Sequence, residues 1–257
     1  MSSVGRWLGD DGVPYATIRA LPPPMRLSIV IPTLDEEEAL VETLATALPE
    51  ADEVVVSDGG SGDRTRELAH DLGAKFVEGR PQRGAQLNRG AHLATGEILL
   101  FLHADTRLAP GSGDAVRRAI REGAVGGGFR LRFDHDRATL RRFAWMINQR
   151  TRWTRCPLGD QAQFVRTSTF ETLKGFREWP LLEDLDFVRR LKRQGPTALL
   201  DPPVSTSARR YVERGPWRNV ARNWVIFGLY FAGVSPNRLE RLYRRRPADF
   251  RSHHGTD

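Results

Sequence analysis

Apolar residues come in short bursts along the first half of this chain, and each burst is followed by a stretch with helical spacing. "LSIVI" (27–31), "EVVVSD" (53–58), "AKFV" (74–77) and "EILLFL" (97–102) are runs of strand length. Between them, 37–48, 63–72, 86–94 and 110–121 carry the pattern of helices that cover a core. Glu37 and Glu38 open the first of these, where acids suit the helix dipole. Continuous apolar strands alternating with helices predict an α/β fold, a mainly parallel mixed sheet covered on both faces.

"GGGFRLRF" (126–133) alternates in polarity and predicts one more strand. The second half then changes character. It predicts a helix over 139–150, a short strand near 162–166, a helix over 183–194 and a short strand near 197–200. Helices over 216–232 and 236–246 follow. Residues 1–25 lack any period and end in a proline run, which predicts a flexible N-terminal extension. The expected organisation is this extension, one large domain over 26–207, and a basic loop with a helical arm over 208–257.

Composition narrows the partners. With 257 residues, 40% hydrophobic and 28% charged, the chain can bury a core. Its single cysteine, Cys156, excludes an intrachain disulfide or a cysteine-cluster metal site. No apolar leader follows a basic start, and the apolar run 224–234 is too short to span a bilayer. These features lead to the expectation of a cytoplasmic protein. The net charge of +7 is concentrated in residues 209–251, which hold 11 arginines against three acids. Such an arm suits nucleic acid, anionic lipid or a polyanionic ligand, or is a solvated helical face.

Candidate chemistry gathers where the strands end. "FLHADT" (101–106) ends an apolar run on His103, Ala104 and Asp105. In extended chain, residues two apart share a face, so His103 and Asp105 are expected to point to one place. The carboxyl ends of strands are where open α/β sheets bind ligands. The first two strands also end in a carboxylate and turn residues, in "IPTLDEEE" (31–38) and "SDGGSGDRT" (57–65). Asp58 followed by Gly59 and Gly60 can approach a flat ligand closely, and Asp63 can cap the next helix. Arg83 stands just before the predicted helix 86–94, within reach of a phosphate or nucleobase, and Asn88 can tie loops together from that helix. No dinucleotide fingerprint or P-loop spacing is present.

Taken together, "LSIVIPTLDEEE", "VVSDGGSGDRT", "RGAQLNRGAHLATGEILLFLHADTRL", "GDQAQFV" and "PLLEDLDFVRRL" resemble family 2 glycosyltransferases of the GT-A fold. Their order and spacing are especially similar to the subgroup described as radical-SAM/selenodomain-associated transferase 2, over about residues 26–246. The resemblance implies transfer of a sugar from a nucleotide-diphosphate donor, by family habit a UDP-sugar, with inversion and with Mn²⁺ or Mg²⁺. Asp105 matches the metal-binding aspartate of the family's Asp-x-Asp motif, His103 replaces the first aspartate, and Ala104 lies between them at the donor. An imidazole there shifts the preference toward a transition metal. Pro32, Thr33 and Glu36 fall in the nucleoside-contacting motif, Asp58 in the donor-base motif, and Leu34 where many members stack an aromatic residue on the base.

By the same resemblance Asp184 is the catalytic base, and Glu183 orients it or contacts the acceptor. Adjacent carboxylates raise each other's proton affinity. Asp160 and Gln161 lie in a loop near donor sugar and acceptor, and Arg83 faces the donor. Arg209 or Arg210, in the loop that closes over the diphosphate, neutralises the leaving group. The acceptor is unidentified, with a lipid among the options. Peripheral contact with the inner face of the membrane and a homodimer stay open for the apolar C-terminal helix, and no nucleic acid is expected. A haloacid-dehalogenase-type phosphatase, suggested by "HADT", fails because its nucleophilic aspartate would stand at His103. The remaining rival is a non-enzymatic binder of anionic lipid or nucleic acid that works through the arginine-rich arm, with binding that falls steeply with salt.

Overall fold

The computed structural model describes residues 25–209 and 216–244. Eight strands form one sheet: β1 (Leu27–Thr33), β2 (Glu53–Asp58), β3 (Lys75–Glu78), β4 (Ile98–Phe101), β5 (Thr106–Arg107), β6 (Gly126–Phe133), β7 (Gln163–Arg166) and β8 (Thr197–Thr206). Their spatial order is β3-β2-β1-β4-β7-β6-β8-β5. The first four are mutually parallel, and β6 runs parallel to β8. β7 is antiparallel to both neighbours, and β5 is antiparallel to β8. The predicted mixed, mainly parallel sheet is therefore present, and α1 (Glu37–Ala47), α2 (Thr65–Asp71), α3 (Arg83–Leu93) and α4 (Ser112–Arg121) follow their strands as the apolar pattern required. Further α-helices among the described residues are α5 (Ala138–Thr154), α6 (Thr167–Thr172), α7 (Glu183–Leu191), α8 (Pro216–Phe231) and α9 (Pro236–Arg244).

Three departures have local causes. β8 runs past the predicted 197–200 to Thr206, through Pro202 and Pro203. Its pairing with β6 jumps from Phe129↔Leu200 to Leu131↔Val204, so the prolines sit where the ladder is interrupted and need donate nothing. β5 has two residues and α6 is the polar "TSTFET", so neither shows a period in sequence. Met25, assigned to the extension, packs against the core, and its carbonyl accepts from Arg117 Nε at 3.1 Å. The rest of the predicted extension, residues 1–24, lies outside the described residues.

The core lies on both faces of the sheet. One side joins Ile29, Ile31, Leu40, Leu44, Leu100 and Phe164. The other joins Val30, Leu87, Leu99 and four phenylalanines. Gly90 lets α3 approach this second face, since a β-carbon there would fall 2.4 Å from Val30 Cγ1. Among those phenylalanines, Phe187 of α7 is fully buried and stacks 4.3 Å from Phe176, which meets Phe101 edge-on at 4.8 Å. Full burial of such a ring is worth about 2–3 kcal/mol. It anchors α7 and so fixes the carboxylates at its start. Among the described residues no helix is long and apolar enough to cross a membrane.

Candidate active site

Parallel pairing brings the carboxyl ends of β1, β2 and β4 to one edge of the sheet, and β6 points the same way because β7 is antiparallel to both of its neighbours. At that edge Thr33 and Asp58 are register partners, and Thr33 Oγ1 donates to Asp58 Oδ1 at 2.8 Å. Ser61 Oγ donates to the same oxygen at 2.5 Å, while the Gly60 and Ser61 N–H groups each donate to Oδ2 at 2.7 Å. Burial alone pushes this carboxyl up, but the bonds from Ser61, Thr33 and Gly60 together hold it below the usual range. Expected to meet a nucleobase, the Asp58 side chain is 2% exposed and already accepts four hydrogen bonds. It shapes the loop that carries Gly60 and Ser61.

That loop is stitched to the end of β1. The Asp35 N–H donates to Ser61 Oγ, and the Gly62 N–H donates back to Asp35 Oδ1. The Glu36 N–H donates to Thr65 Oγ1 at 3.0 Å, and Asp63 accepts from the N–H groups of both Glu37 and Thr65. Pro32 and Glu36 are half-buried beside this seam and Leu34 is exposed. From α3, Gln86 donates to the Thr33 carbonyl at 2.7 Å, and Arg89 donates to the Asp58 carbonyl at 2.7 Å. Neither was singled out in the sequence, although their three-residue spacing puts them on one helix face. Asn88 ties the loop at Phe176 through two hydrogen bonds, as expected of it.

β4 ends at Phe101, and His103 and Asp105 fall in a turn closed by the Thr106 N–H on the His103 carbonyl, so the extended-chain argument does not describe them. The two side chains have different company. His103 Nε2 accepts a hydrogen bond from Arg83 Nη2. Asp105 lines a cleft of about 180 Å³ with Glu38, Thr43, Arg107, Ser207 and Arg209. Ala104 is buried in the core, and its carbonyl accepts from Thr43 Oγ1.

Arg83 is the first residue of α3, a helix capped by Gln82, whose Oε1 accepts from the Ala85 N–H at 2.5 Å. Its Nη1 stands 3.1 Å from Glu183 Oε1, at ion-pair distance without hydrogen-bond alignment. Glu183 is 4% exposed, and burial pushes its carboxyl up, with Arg83 opposing and Asp184 adding to the rise. The Asp184 carboxylate is fixed by two backbone donors, the Gly159 N–H on Oδ2 at 2.8 Å and the Leu185 N–H on Oδ1 at 2.7 Å. Gly159 also makes room for Arg83 and His103, because a β-carbon at 159 would lie 2.1 Å from Arg83 Nη2.

The loop 159–161 gives two outcomes. Asp160 has a buried Oδ1 with no hydrogen-bond partner, and burial pushes its carboxyl up, opposed by Arg150 and Arg83 and reinforced by Asp184. Gln161, expected at the donor, is instead fully buried and turned inward. Its Nε2 donates to the Phe129 carbonyl at 2.9 Å, and its Oε1 accepts from Thr151 Oγ1 at 2.7 Å and Arg150 Nη2 at 3.1 Å. Arg209 lies 3.7 Å from Glu38 beside the Asp105 cleft, while Arg210 lies outside the described residues.

Among the described residues no three His, Cys, Asp or Glu side chains converge on a metal position. A single half-buried carboxylate such as Asp105 fits a hard cation that takes its other ligands from phosphate oxygens and water. His103 can ligate through Nε2 only by releasing Arg83.

The overall architecture is shared with solved structures. It is similar to S. aureus TarS 1-349, with a TM-score of 0.58 and 19% identity over 72% of this chain and 61% of that one. It is also similar to glucosyl-3-phosphoglycerate synthase from Mycobacterium tuberculosis, with a TM-score of 0.52 and 21% identity over 71% of this chain and 70% of that one. In sequence, the glucosyl-3-phosphoglycerate synthase of Mycolicibacterium smegmatis is 33% identical over 118 residues, 39% of each chain. The validoxylamine A glucosyltransferase of Streptomyces hygroscopicus subsp. limoneus is 35% identical over 103 residues, 33% of this chain and 21% of that protein. The match thus spans well under half the length of these relatives. Residues 28–171 match the family described as glycosyl transferase family 2, from the first strand through the loop that fixes Asp184 and on into α6. This chain, with its α/β sheet and its polar strand ends, belongs to glycosyl transferase family 2.

Proposed function

We propose that the chain transfers a glycosyl group from a nucleoside-diphosphate sugar to an acceptor hydroxyl, with inversion, and that Asp184 is the base. The observation that carries this reading is the Asp184 carboxylate, clamped by two backbone N–H groups where α7 meets the loop after α5. A carboxylate so oriented can take the acceptor proton as its oxygen attacks the anomeric carbon. One C–O bond forms as the bond to the diphosphate breaks. The half-buried Arg83 pairs with the buried Glu183 beside the base and keeps its surroundings fixed. Arg209 and Arg107, around Asp105, face the place where leaving-group charge develops.

Asp105 is the residue that would hold a divalent cation, whose chemistry there is to neutralise the diphosphate. Structures of the same fold support a uridine nucleotide and such a cation. The M. tuberculosis synthase has been solved with UDP and Mn²⁺ and with UDP and Mg²⁺, and TarS with UDP-GlcNAc. The order of the five motifs supports a place in the radical-SAM/selenodomain-associated transferase 2 subgroup.

Asp184→Asn tests the proposal. Asn keeps the shape and an acceptor oxygen but cannot take the proton. UDP release from UDP-sugars should fall by roughly 10²–10⁴-fold, while UDP affinity measured by calorimetry stays unchanged. Turnover near wild type would sink the assignment and move suspicion to Glu183 or Asp160.

A further inference from the structure

α5 and α8 each leave a pair of large apolar side chains uncovered. On α5, Met146 and Trp153 stand seven residues apart and so share a face; Met146 is 42% exposed and Trp153 is 86% exposed. On α8, Trp224 and Phe231 repeat that spacing and are 59% and 64% exposed, and Gly228 between them leaves that face flat. α7 connects the two. The Arg189 guanidinium lies 5.3 Å from the centre of the Phe231 ring, and Lys192, one turn further on, donates through Nζ to the Thr154 carbonyl at 2.5 Å. Trp153 and Phe231 therefore border a single surface whose middle is cationic. Arg152 and Arg155 flank Trp153, and Arg193 follows Lys192; all three are exposed. None of residues 138–159, 187–200 or 216–239 is acidic.

We infer that this surface docks on an anionic lipid bilayer, independently of the proposed reaction. Exposed tryptophan and phenylalanine beside arginine and lysine match the interfacial zone of a membrane. There the rings enter the headgroup boundary and the cations meet lipid phosphates. A second copy of the chain is a poorer occupant, because a two-fold contact would place these cations against themselves. The surface lies on the C-terminal half of the helix that begins with Glu183 and Asp184, so docking would hold the candidate site at a fixed height above the lipid.

Co-sedimentation of the full chain with phosphatidylcholine vesicles, with and without phosphatidylglycerol, tests this inference. Binding is expected only with the anionic lipid, and it should weaken with salt. Trp153→Ser with Phe231→Ser should lower partitioning about tenfold or more through lost apolar burial. Arg189→Gln with Lys192→Gln should lower it about fivefold for each charge. Both variants keep the arginine-rich 209–251 segment, and the replaced side chains are exposed and lose only surface contacts, so melting temperatures should stay close to wild type. Unchanged partitioning of the aromatic variant would overturn the inference and leave the binding to the arginine-rich segment. Equal affinity for a single-stranded oligonucleotide that competes with the vesicles would overturn it in favour of nucleic acid.

Discussion

Gly159→Ala adds one methyl group where Arg83, His103 and Asp184 meet. The new carbon would lie 2.1 Å from Arg83 Nη2 and 2.8 Å from His103 Nε2. Non-bonded heavy atoms settle near ~3.5 Å, so the guanidinium must withdraw by roughly 1 Å or more. It is the tip of a flexible side chain and can do so. The backbone at 159 lies outside the left-handed region, so alanine is tolerated there, and the N–H that holds Asp184 survives. The fold should therefore lose less than about 1 kcal/mol. The site should lose more. Withdrawal lengthens the 3.1 Å pair between Arg83 and Glu183 and so shifts the groups beside Asp184.

A displacement of about 1 Å beside reacting groups can cost on the order of 10² in rate. UDP release from a UDP-sugar is expected to fall about that far in Gly159→Ala, with a nearly unchanged melting temperature. The cause can be isolated. In Arg83→Ala the nearer of the two groups that the methyl group would strike is gone and only His103 is left to give way, so adding Gly159→Ala should lower the rate by less than it does alone. Two losses that simply multiply in the double variant would refute the steric account, as would full activity in Gly159→Ala alone.

Much of the scaffold can be read from the chain because strands buried on both faces must be continuously apolar, as 27–31, 53–58 and 97–102 are. The strand-end loops are legible for a related reason. Asp58, Ser61 and Asp63 bond within a few residues of themselves or to the neighbouring strand end, so their spacing carries the information. What escapes the sequence is side-chain direction and long-range company. Nothing local shows that Gln161 turns into the core toward Phe129, or that the alanine of "HAD" is buried beneath α1. Nor does the sequence reveal that Arg83 reaches both His103 and Glu183, which lie 20 and 100 positions further along the chain. The full length of β8 is hidden because two prolines argue against a strand unless the partner's register is known to skip there.

Two further outcomes follow from the structure. Asp105→Asn should weaken UDP binding by calorimetry in Mn²⁺ but change it little in EDTA, because its carboxylate is placed to act through a cation; equal losses in both would mean that it acts directly. The other concerns acid stability and Glu53, at the start of β2. Its side chain is 7% exposed, and it pairs with Lys75 Nζ at 2.6 Å and accepts from Ser28 Oγ at 2.5 Å and from the Thr95 N–H at 2.5 Å. Burial alone pushes this carboxyl up, but Lys75, Ser28 and Thr95 outweigh it and hold it at about 2, against an ordinary value of 4.5. The folded state thus binds fewer protons than the unfolded one between those two values. The stabilisation is complete above pH 4.5 and is lost as pH falls toward 2. Its size is about 3 kcal/mol, from roughly 1.4 kcal/mol per unit. Glu53→Gln keeps an acceptor oxygen but cannot be deprotonated, so its deficit against wild type, measured by urea unfolding, should be largest near pH 7 and shrink steadily below pH 4.5. A deficit that stayed constant down to pH 3 would show that the lost contacts, not the charge, set the stability at this position.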